Sequence, residues 1–129
     1  SAASADGAHD AAAGLEWHQV ADCLPVMKQS HVIESAIKRG LADPRRFKAR
    51  ASEVAGHAVA LAAMSQTLAF DPVYIGDEKD EQAWLDWCVQ SRDAAAALAR
   101  AAKEQDAERA SAAFQQLNQA CEACHDQFR

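Results

Sequence analysis

Five consecutive residues, Cys121-Glu122-Ala123-Cys124-His125, carry the clearest chemistry in this sequence. Thiols three positions apart lie on the same side of a helix, so both can reach the two vinyl groups of one porphyrin. The imidazole of His125 then projects toward the metal at its centre. C-x-x-C-H is the attachment pattern for c-type haem. It predicts one covalent haem c, bonded through Cys121 and Cys124, with His125 as an iron ligand. Chance alone would place the pattern in on the order of half a percent of chains of this composition. A thioredoxin-like dithiol needs a strand-to-helix context, which the sequence lacks. A structural zinc site needs a second ligand pair, and none stands at suitable spacing.

The elements that must position this motif read as helices. The chain has 129 residues, enough for one domain with a single core. Half of them are hydrophobic, with Ala dominant, and no run of alternating β-branched residues occurs. Residues 1–14 read as a small, polar, flexible N-terminal tail, and 15–129 as one helical bundle. A first helix is expected from about Leu15 to Lys38, with Gly40 as a left-handed cap. Its stripe is Val20, Leu24, Met27 and His31, continued by Ile33 and Ile37. Pro25 should kink it or mark the junction of two helices.

Asp43-Pro44 is a start signal for the second helix, with Phe47, Ala51, Val54, Ala58, Leu61 and Leu68 on one face. The stretch "FDPVYIGDEKDE" reads as a longer surface loop. A third helix follows from about Glu81 to Lys103, presenting Trp84, Trp87, Cys88, Ala95, Leu98 and Ala102. After a polar turn at Glu104–Asp106, the fourth presents Ala110, Phe114, Leu117, Cys121, Cys124 and Phe128. Short outer turns and one longer middle connection predict an all-α, up-down-up-down four-helix bundle with C-terminal haem attachment.

Composition removes some functions. Net charge is −6, from 13 basic and 19 acidic residues, with no basic block to follow a phosphate backbone. Nucleic acid is therefore not expected as a partner. No apolar run approaches the roughly 18 residues of a membrane helix, so membrane insertion is not expected either.

A haem motif on the last helix of a four-helix bundle resembles the class II c-type cytochromes, the cytochromes c′ and their low-spin relatives. The likeness is closest over "FQQLNQACEACHDQFR" and extends more weakly over the helical layout from Leu15 to Arg129. The resemblance implies that Arg129, four residues after the haem His, sits beside the proximal face. It also implies an aromatic near the haem early in the third helix, which Trp84 or Trp87 supplies. On the distal side, an apolar first-helix residue leaves iron five-coordinate in cytochromes c′, and that position falls near Leu24. Low-spin relatives place a Met ligand on the same helix, and Met27 lies one turn from Leu24. Val20 stands where relatives often carry an Arg.

Other side chains compete for the iron. His31 shares the stripe, and is read as a polar helix-contact or surface residue before a ligand. Met27 serves equally as core filler. Met64 reads as core, and His18 and His57 as solvated. Cys23 and Cys88 fall near the haem end of an antiparallel bundle, either as a disulfide or as two buried thiols.

Two functions follow. The first is periplasmic electron transfer, with a redox protein bearing a basic patch as partner. The alternative is a five-coordinate protein that binds nitric oxide or carbon monoxide in an apolar pocket gated by Leu24. A dedicated enzyme is not expected, because no distal acid–base group is placed for it, although weak peroxidase-type side activity is compatible with open iron. The resemblance further implies export to the bacterial periplasm and a homodimer through the first two helices.

Overall fold

The computed structural model describes residues 23–69 and 78–128, with side chains for 27–69 and 81–127. Four helices account for nearly all of them: α1 Cys23–Gly40, α2 Pro44–Ala69, α3 Glu78–Lys103 and α4 Ala107–Phe128. No strand occurs among the described residues. The expected tail, the first-helix segment before Cys23 with Val20 and His18, the side chains of Cys23 and Leu24, and Arg129 lie outside them.

The helix boundaries follow from capping chemistry. Pro44 is the first residue of α2, where its missing N–H costs nothing, and Asp43 caps it by accepting from the Arg46 N–H at 2.8 Å. Asp106 repeats the device for α4, accepting from the Arg109 N–H at 3.1 Å. Pro25 falls in the first turn of α1, a position that tolerates proline.

Two expectations are corrected here. Gly40 is not a left-handed cap, since no described glycine has positive φ. It is the last residue of α1, buried, and a Cβ built on it would stand 2.7 Å from Val54 Cγ2. Its missing side chain lets α1 approach α2. The left-handed cap occurs instead at Gln105, with φ 56°, after α3. There the Asp106 N–H reaches the Ala101 carbonyl at 2.9 Å and the Gln105 N–H reaches Ala102 at 3.0 Å, the paired bonds of a Schellman motif. The second correction concerns α3, which begins at Glu78 rather than near Glu81. The charged tail of the expected loop is helical, and its acidic residues suit a helix N-terminus.

The helices run antiparallel, α1 packing on α2, α2 on α3 and α3 on α4. Trp84 at the start of α3 donates to the Leu68 carbonyl at the end of α2, and Trp87 to Gln127 at the end of α4. Ser30 in α1 meets Met64 in α2. One end of the bundle therefore gathers the start of α1, the end of α2, the start of α3 and the end of α4. This is the up-down-up-down arrangement.

All six residues of the α2 stripe are buried, from Phe47 to Leu68. All but Leu68 join Ile33 and Ile37 of α1, Leu98 of α3 and Leu117 of α4 in a core otherwise made mostly of alanine. Small side chains let the backbones approach closely, and the few large ones, Ile37, Leu98 and Leu117, are sealed to 2 % exposure or less. The α1 stripe splits: Ile33 and Ile37 enter this core, while His31 is exposed. A second, smaller cluster of Leu68, Trp84, Cys88 and Cys124 occupies the other end, with Met27 and Trp87 against it.

Candidate haem-attachment site

The end where this second cluster lies is also the end where C-x-x-C-H falls. All five motif residues are helical, in the last turns of α4. Cys121, Cys124 and His125 all line one cleft. That cleft holds about 630 Å³ of atom-free space, its mouth included, and all four helices contribute to its wall.

α3 supplies the back wall. Trp84 is 4 % exposed, and its indole N–H donates to the Leu68 carbonyl at 2.7 Å. That carbonyl belongs to the last turn of α2, where no intrahelical donor is available. Trp84 is thus the aromatic built into the bundle. Trp87, one turn on, is half-buried at the cleft, its N–H held by Gln127 Oε1 at 2.9 Å. The contact ties α3 to α4 just beyond the motif.

α1 supplies a further wall, through Met27, Ser30, His31 and Glu34. Met27 is half-buried against the Trp84 cluster. The His31 ring centroid stands 6.1 Å from that of His125, with the planes tilted by 41°. His31 Nδ1 is 3.7 Å from Glu34 Oε2.

The thiols have a distinctive electrostatic setting. Burial, reinforced by the charge of Glu34 and a hydrogen bond to it, pushes Cys121 up to about 12, with Ser91 opposing. Burial also raises Cys124. Thiolate is the form that attacks in disulfide chemistry. Two thiols held protonated resist closing on each other.

The residues present fit a haem. Two reduced thiols share a helix face, an imidazole follows the second, and the walls are largely apolar with two indoles. Cys121 and Cys124 would hold the porphyrin and His125 would bind its iron. The expected distal residue Leu24 and the expected proximal Arg129 lie outside the described side chains. So does Cys23, the suggested partner of buried Cys88.

Sequence reasoning missed Glu34 and Ser91. Both were accessible from spacing: Met27, His31 and Glu34 share one helical face, as do Trp84, Cys88 and Ser91. A carboxylate continuing an otherwise apolar stripe is the signal.

Residues 79–129 match the model of a family described as Cytochrome C′. The match covers α4 with the motif and all but the first residue of α3. No curated protein and no solved structure matches the chain.

Proposed function

We propose, from the match of residues 79–129 to the cytochrome c′ family, that the chain is a class II c-type cytochrome working as an exported electron carrier. The family implies covalently bound haem c, whose iron cycles between ferric and ferrous states. In this reading Cys121 and Cys124 hold the haem and His125 ligates it. Trp84 and Trp87 wall the porphyrin and exclude water. The observation that carries the proposal is the α1 face of the cleft, where two side chains of ligating type, Met27 and His31, line the same cleft as the motif. An iron held from both sides exchanges electrons with little rearrangement of its surroundings.

The acidic surface, net −6, favours a redox partner with a basic patch, and a periplasmic location is the one typical of the family. No described helix is long and apolar enough to cross a membrane.

Absorption spectra of the purified holoprotein test this reading, recorded oxidised, then reduced, then with carbon monoxide. A low-spin reduced spectrum with split visible bands and no rapid response to carbon monoxide supports the carrier. A high-spin reduced spectrum that shifts at once means open iron, and replaces the carrier with the gas-binding function.

A further inference from the structure

We propose that His31 is the second axial ligand, facing His125 across the cleft, so that the iron is held by two imidazoles. This rests on the reading that Cys121, Cys124 and His125 hold a haem.

Three observations carry it. Trans imidazoles on one metal ion have ring centroids roughly 6–6.5 Å apart, from two metal–nitrogen bonds of about 2.0–2.1 Å plus a nitrogen-to-centre distance on each side. The His31 and His125 centroids are 6.1 Å apart, and both residues line the cleft. A 41° tilt is compatible, because each ring is free to rotate about its metal–nitrogen axis.

Second, His31 has the partner a ligating histidine needs. Glu34 Oε2 lies 3.7 Å from Nδ1, one helical turn along, and is itself only 20 % exposed. A small shift of Glu34 would bring that carboxylate within hydrogen-bond reach of Nδ1, which would orient the imidazole, raise its basicity and leave Nε2 for the metal.

Third, the competing ligand is already engaged. Met27 packs against the cluster of Leu68, Trp84, Cys88 and Cys124, so taking its sulfur to an iron would withdraw it from those contacts. The His31 side chain is 65 % exposed and would give up no core contact by binding a metal.

The test is electron paramagnetic resonance and absorption of the ferric holoprotein, in wild type, His31→Ala and Met27→Leu. The wild type should be low-spin and lack the red sulfur-to-iron band of methionine ligation. Met27→Leu should match it. His31→Ala should become high-spin and, once reduced, bind carbon monoxide at once, and imidazole added to the ferric variant should restore the low-spin signal, showing that the fold survived. A sulfur-to-iron band in wild type, lost only in Met27→Leu, would overturn His31 and leave the electron carrier standing. A high-spin wild type would overturn His31 and the carrier together.

Discussion

Trp84 and Leu68 join two helices by a buried hydrogen bond of 2.7 Å, indole N–H to main-chain carbonyl, in the wall of the cleft that holds Cys121, Cys124 and His125. The bond closes an open carbonyl at the end of α2 and fixes the indole that forms the wall. Stability and site geometry therefore meet in one side chain.

Trp84→Phe should cost about 1–3 kcal/mol, because it keeps an aromatic ring but strands a buried carbonyl. Urea unfolding monitored by far-ultraviolet circular dichroism measures it. An unchanged midpoint would mean that water replaces the indole there, and that the wall is looser than the bond implies.

Gly40→Ala should cost about 1–3 kcal/mol by overpacking, since its Cβ would meet Val54 Cγ2 at 2.7 Å. Val54 is itself 2 % exposed and has little room to move. Adding Val54→Ala to Gly40→Ala should then cost less than Val54→Ala costs in the wild type. Strict additivity of the two losses would show that the α1–α2 approach does not depend on this contact.

Gln105→Gly should stabilise by about 0.5–1 kcal/mol and raise the melting temperature by a few degrees. The residue holds φ 56° in a Schellman motif whose hydrogen bonds use only the main chain. Glycine keeps those bonds and removes the Cβ strain. A loss of stability would indicate that the Gln105 side chain contributes more than its backbone strain costs.

These sites divide by what a sequence can carry. The α2 stripe and the Asp43 cap depend on neighbours three or four positions away, so 3.6-residue periodicity and capping rules recover them. The Cys121, Cys124 and His125 constellation is likewise local. Gly40 was misread because its role depends on Val54 in another helix, and glycine after an apolar run looks the same whether it caps or packs. The approach of His31 to His125 and of Glu34 to Cys121 needs the α1–α4 juxtaposition, which no spacing along one helix encodes. The start of α3 was placed late because a charged run resembles a loop, although Glu and Lys are good helix formers.

The haem-free chain should lose stability as pH rises through the window between 9.0, the ordinary thiol value, and about 12, where Cys121 titrates in the fold. The sign follows from linkage: in that window the unfolded chain has released a proton that the folded chain still holds, so alkali favours unfolding. Below about pH 9 both states keep the proton and the contribution is intact. Denaturation midpoints across the window check this, with Cys121→Ser as the control that should fall less. Equal slopes for the two chains would remove Cys121 as the cause.

The most direct measurement is the intact mass of the purified holoprotein after acid–acetone extraction, which strips haem held only by ligation. The polypeptide should retain the mass of one haem, and a tryptic fragment containing Cys121 and Cys124 should carry it. Replacing both cysteines by serine should release all of it. A polypeptide of unmodified mass after extraction, or haem retained on another fragment, would contradict the site.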